Sequence, residues 1–141
     1  MAYKVFLDAN ILLDFTLKRN DYDQSKKIIS FVVNGQMEGF ITPAIVHIVG
    51  YWLAKSYGNE KTKELLLSLL ADVSIIDIPH EIVMEALHSN ITDIEDALQY
   101  HSAIYHKLDC FISRDKQFQK EGSILLPVYS PEQFLTVVGF E

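Results

Sequence analysis

Three aspartates could do chemistry together: Asp8 in "VFLDANILLDF", Asp96 in "TDIEDALQYHSAIYHKL" and Asp115 in "CFISRDKQF". Singly, each has an ordinary explanation, because a carboxylate at the start of a helix accepts hydrogen bonds from unpaired backbone amides. Asp8 and Asp115 follow short apolar runs, and Asp96 lies early in a long amphipathic stretch. If three such segments meet, their carboxylates repel one another, and a divalent cation is the usual remedy. Oxygen-only ligands suit Mg²⁺ or Mn²⁺ better than zinc. The reaction such a centre performs best is attack of an activated water on a phosphodiester.

Around these acids stand residues with supporting chemistry. Asn10 follows Asp8 at a helix start, where it could satisfy helix-start amides, and Ser113 precedes Asp115 by two positions. Asp14, a turn beyond Asn10, is expected on the surface or behind the ligands. Thr92 and Glu95 have the T-x-x-E spacing of a capping box, which gives Glu95 a structural role. Asp93 falls in the first turn, where the helix dipole favours an anion. Asp93 and Asp96 are three apart and share one side of the helix. At about 100° per residue that side borders the apolar stripe of Ala97, Ile104 and Leu108, whereas Glu95 is expected to point away.

These residues need elements to hold them. "YKVFL" (3–7) reads as a strand buried on both faces. Further strands are expected at 38–42, 73–78, 109–113 and 124–128. Helices are expected over 9–19 and 21–35, then over 43–58, closed by Gly58, and 59–72. Others follow at 79–90, 92–108 and 131–139, with a short helix or turn at 114–120. Strands separated by one or two helices predict an α/β fold, a three-layer α/β/α sandwich around a five-stranded parallel sheet. Ligands in open sheets of this kind bind beyond the carboxyl ends of the strands, where strand order reverses. Asp8, Asn10, Ser113, Arg114 and Asp115 are expected at that edge, as are Thr42, Pro43 and Ala44.

Composition narrows the classes. The chain has 141 residues, of which 49% are hydrophobic, enough for one domain (1–141) with a full core. No apolar run approaches bilayer length, and "MAYKVFLDAN" has no secretory pattern. Cys110, the single cysteine, reads as a buried thiol in a reducing cytoplasm. A net charge of −7 counts against RNA binding through a basic surface. A cation bound among carboxylates would offset that charge at the site itself. The basic residues Lys18, Arg19, Lys26, Lys27, Arg114, Lys116 and Lys120 are expected mostly on solvated helix faces.

"VFLDANILLDF", "DIEDALQYHSAI" and "FISRDKQF", in this order and at these separations, resemble the PIN domain, in the branch of VapC-type toxin ribonucleases from toxin–antitoxin pairs. The resemblance extends to the closing "PVYSPEQFL". It implies a five-stranded parallel sheet, an acidic pocket for Mg²⁺ or Mn²⁺, and endoribonuclease activity. It assigns Asp8, Asp96 and Asp115 as catalytic metal ligands, Asp93 as a further acid, and Asn10 and Ser113 as positioning residues. Arg114 or Lys116 would contact the RNA backbone. It also implies a homodimer and an antitoxin partner, and Phe15, Leu17 and Tyr22 on the early helices are candidates for either contact. One position departs from the family. Its usual glutamate in the helix after the second strand aligns with Ile48, and His47 beside it is the candidate replacement.

Two other classes compete. A PIN module without catalysis, binding RNA or a protein, fits the missing glutamate and the acidic balance. Phosphoryl transfer through an aspartyl nucleophile fits "DAN" only faintly, since no later G-D-x-x-x-D segment exists and the acids are not those of a receiver domain.

Overall fold

The computed structural model describes residues 3–139. In chain order the elements are β1 (Tyr3–Leu7), α1 (Ala9–Thr16), α2 (Tyr22–Val33), β2 (Met37–Ile41), α3 (Pro43–Leu70) and β3 (Val73–Ile75). Then come α4 (His80–His88), α5 (Ile94–Tyr105), β4 (Cys110–Ile112), α6 (Lys116–Gln119), β5 (Val128–Tyr129) and α7 (Pro131–Val137). The expected α/β fold with a five-stranded parallel sheet is found.

Val5, Phe6 and Leu7 are all buried, as are Cys110, Phe111 and Ile112. Successive strand side chains point to opposite faces, so these runs need cover on both sides of the sheet. β1 and β4 therefore lie at its centre. The spatial order is β3-β2-β1-β4-β5, with every neighbouring pair parallel. The chain builds outward from β1 through β2 to β3, then returns to add β4 and β5 on the other side. The reversal falls between β1 and β4, so the ligand edge lies just beyond Leu7 and Ile112.

Packing ties the elements that carry the acids. Phe6 stacks on Phe111 with ring centroids 4.5 Å apart, and Phe111 meets Phe118 of α6 edge-on at 4.8 Å. Tyr100 of α5 meets Phe118 at 5.8 Å and donates its hydroxyl to Leu126 O at 2.6 Å. At the end of β2, the buried Thr42 hydroxyl donates to Gln99 of α5. Gly39 admits α2 onto the sheet, because a Cβ there would sit 3.2 Å from side-chain atoms of both Leu7 and Val32.

Several boundaries differ from expectation. Gly58 (φ 80°, ψ 165°) interrupts α3, as its place between two helical patterns implies. α1 ends at Thr16 instead of 19, and Lys18 just beyond it adopts a left-handed backbone (φ 53°) that cannot continue a helix. β3 stops at Ile75, short of 78. The expected strand 124–128 shrinks to Val128–Tyr129. Pro127 has no amide to donate, and Ile124 and Leu125 are exposed instead of buried. No described helix is long and apolar enough to cross a membrane.

Candidate active site

Asp8 leaves β1 with extended backbone and becomes the N-cap of α1, its Oδ1 accepting from Ala9 N at 2.8 Å. Its Oδ2 accepts from the fully buried Ser113 hydroxyl at 2.7 Å, and Ser113 Oγ in turn accepts from Asp115 N at 3.1 Å. One hydroxyl thus joins the ends of the two central strands. Asp115 caps α6, its Oδ1 accepting from Gln117 N and Phe118 N.

The start of α5 corrects the expected capping box. Asp93, not Thr92, is the N-cap, and its Oδ1 accepts from Asp96 N at 2.9 Å. Thr92 and Asp93 compete for one position, and the helix begins at Ile94. Glu95 is released from the cap and lies against the same cavity as the aspartates. The expectation that Glu95 points away is wrong.

That cavity, of about 270 Å³, is lined by Asp8, Asn10, Asp93, Glu95, Asp96 and Asp115. Ala9, Leu13, Ile48 and Trp52 complete its wall. Capping and convergence are therefore not alternatives. Asp93 and Asp115 each commit one oxygen to a helix start, and Asp96's carboxylate has no hydrogen-bond partner among the described residues.

Crowding disfavours the ionised forms. Burial, and then the charges of Asp93, Asp8, Asp115 and Glu95, push the Asp96 carboxyl up to about 7. Asp8 is also raised, mainly by burial, against the opposing hydrogen bonds from Ser113 and Ala9. Glu95 is raised by desolvation and by the charges of Asp8 and Asp93. In metal-free protein, a carboxyl whose folded pKa exceeds its ordinary 3.8 costs stability as pH rises from that value through about 7. Thermal unfolding in EDTA should therefore shift downward as pH is raised from about 5 to 7.5. The slope should be shallower in Asp96→Asn, with Asp8 and Glu95 retaining part of it. An identical slope in the variant would contradict this electrostatic account.

The donor set suits a hard divalent cation: five carboxylates, no sulfur and no imidazole. Among the described residues, however, no three His, Cys, Asp or Glu side chains already stand as a metal's ligand set. Asp93 and Asp115 each keep one carboxylate oxygen, and Asp96 both, free of hydrogen bonds among the described residues.

A PIN domain family model matches residues 4–117. The chain belongs to the PIN domain family. No curated protein matches it in sequence. Among solved structures it is similar to PAE2754 from Pyrobaculum aerophilum (TM-score 0.68, 15% identity, covering 100% of this chain and 92% of that one). It is also similar to VapBC2 from Rickettsia felis bound to a promoter DNA fragment (0.65, 17%, 90% and 98%). A third is DNA-bound VapBC from Salmonella typhimurium (0.63, 12%, 92% and 98%). These likenesses establish the fold.

In this PIN domain Ile48 lines the acid cavity, so the aligned position faces the site but carries no carboxylate. His47 does not replace it. One residue along a helix turns the side chain by about 100°, and His47 lines a different depression with Gly50, Tyr51 and Lys55. Trp52, unnoticed in the sequence, joins the cavity because it stands one helical turn beyond Ile48 on the same face.

Of the two placements expected for Asp14, the structure gives the one behind the acid cavity: it is 1% exposed and clamped by Arg19 and Arg114. Arg19 also donates to Asn10 Oδ1 at 3.0 Å, leaving the Asn10 Nδ2 hydrogens as its uncommitted donors. Arg114 pairs with Asp14 through Nε outside the acid cavity, with 39% of its side chain exposed.

Proposed function

We propose that this PIN domain is a divalent-metal-dependent endoribonuclease, the toxin member of a toxin–antitoxin pair acting in the cytoplasm. The observation that carries the reading is the acidic cavity that Asp8, Asp93, Glu95, Asp96 and Asp115 line together at the reversal point of the sheet. Asp8, Asp96 and Asp115 would hold Mg²⁺ or Mn²⁺, with Asp93 and Glu95 adding charge beside them. When bound, the ion supplies Lewis acidity toward water and phosphodiester. Ser113 fixes the Asp8 carboxylate, and Asn10, steadied by Arg19, offers its amide hydrogens to a phosphate oxygen. Two of the similar structures are VapBC complexes, which supports a protein antitoxin as partner. The homodimer is part of the same proposal.

The test is cleavage of single-stranded RNA. EDTA should abolish it, and millimolar Mn²⁺ should restore it. Cleavage that persists in EDTA would overturn metal dependence.

A second reading is a binding module that does not turn over, and Ile48 favours it, because the cavity wall lacks a carboxylate there. Ile48→Glu decides between them. Adding a carboxylate to a nuclease that is one ligand short should tighten Mn²⁺ by roughly 10-fold or more, on the scale of the 10–100-fold that metal-site partners contribute. Cleavage should rise with it. Tighter metal without any cleavage in either form would leave the binding module as the function.

A further inference from the structure

We infer that Trp52, flanked by Lys55, is a stacking platform for a base of single-stranded RNA next to the scissile position. The inference rests on the nuclease reading and adds the recognition element to it. Trp52 is 48% exposed and Tyr51 53%, sequence neighbours on α3 that line adjoining depressions. Their rings meet edge-on at 5.3 Å. Lys55 Nζ lies 4.7 Å from the Tyr51 ring centroid and 5.3 Å from that of Trp52. An exposed ring needs no explanation by itself; its position beside the acid cavity is what points to an occupant. Trp52 is part of the wall of the acid cavity, while Tyr51 and Lys55 line the next depression, of about 490 Å³, with His47 and Asn59.

The surface thus runs from carboxylates, over an indole and an ammonium, into a second cavity with hydrogen-bonding groups. A nucleotide strand has the matching sequence of parts. Its phosphate enters the metal site, its base lies on Trp52, and its next phosphate meets Lys55. Stacking accepts any base, since every base has a π-face, and it requires that base to be unpaired. An acidic protein gains from this arrangement, because affinity supplied by stacking does not depend on a basic surface. Trp52 is therefore the residue through which this chain favours an unpaired base beside the scissile position.

Trp52 is the chain's only tryptophan, so intrinsic fluorescence reads the contact directly. The experiment titrates the full chain with octameric oligo(A) and with a duplex RNA, in Ca²⁺ to offset the carboxylates. Saturable quenching by the single strand and little by the duplex is expected. By anisotropy of a labelled oligo(A), Trp52→Phe should bind nearly as wild type, Trp52→Ala about tenfold more weakly. Lys55→Ala should reduce the salt slope by about one. Circular dichroism confirms that each variant folds. Unquenched emission, or equal affinity in Trp52→Ala, overturns the platform. Emission that shifts with protein concentration and ignores RNA also overturns it, and marks this face as a contact between copies. Failure of the nuclease reading shows separately, as absent Mn²⁺-dependent cleavage by a protein that still quenches.

Discussion

Asp8→Asn is expected to lower Mn²⁺-dependent RNA cleavage by at least about a hundredfold while raising the melting temperature of the metal-free protein. The activity loss follows from position. Partners outside a metal's ligand shell cost 10–100-fold when removed, and a ligand should cost no less. The rise in stability follows from burial. Asp8 is 8% exposed, its pKa is raised, and Asp96, Glu95 and Asp115 crowd it. Neutral asparagine removes that penalty. Its oxygen can still accept from Ala9 N, while its amide, facing Ser113 Oγ, takes away the acceptor of the Ser113 hydroxyl, so the expected gain is net of that one lost bond. A gain of about 1 kcal/mol corresponds to roughly 2–8 °C for domains near this size. With saturating Mn²⁺ the order should reverse, because an ion that binds only the folded state stabilises whichever form holds it. A single set of melting curves with and without Mn²⁺ reads both effects. If Asp8→Asn cleaves as well as wild type, Asp8 has no part in catalysis; if it melts lower in EDTA, the carboxylate's hydrogen bonds outweigh the cost of its crowding.

The contrast between those outcomes explains why some of the site was legible in the sequence and some was not. "VFL" and "CFI" are apolar without alternation, which identifies central parallel strands and places Asp8, Ser113 and Asp115 at their ends. Gly58 declares its break because only glycine accepts its backbone cheaply. At the start of α5 two capping residues stand side by side, and propensity ranks aspartate and threonine too closely to choose. With Asp93 as the cap, Glu95 is not a capping-box partner and lines the cavity instead. Pattern reading also fails where partners lie far apart in the chain. Nothing in "ILLDF" shows that Asp14 will be buried, since the cations that permit it come from position 19 and from position 114. Trp52 was open to inference, being one turn from Ile48, but a tryptophan on an amphipathic helix reads first as core.

That buried carboxylate carries the largest expected stability effect. Arg19 Nε lies 2.9 Å from Asp14 Oδ1 as a hydrogen bond, and Arg114 Nε lies 2.8 Å from Oδ2 as a charge contact without aligned hydrogen-bond geometry. The two arginines are more than a third exposed, whereas Asp14 is 1% exposed, so the cost of breaking the group falls on the acid. Removing either arginine leaves one partner, and removing both leaves a buried charge with none. Arg19→Ala with Arg114→Ala should therefore cost about 3–5 kcal/mol, more than the sum of the single losses. Adding Asp14→Leu should recover much of it, because an apolar group needs no counter-charge. Urea unfolding of the wild type, the two single variants, the double and the triple closes the comparison. If the arginines served RNA contact alone, Arg114→Ala would leave the unfolding midpoint unchanged and the double variant would be additive. The clamp also reaches the site: Arg19 holds Asn10, and Arg114 lies between Ser113 and Asp115 in the chain. Its loss should lower cleavage through misplaced Asn10 and Asp115 before the protein unfolds, seen as a fall in kcat at saturating Mn²⁺.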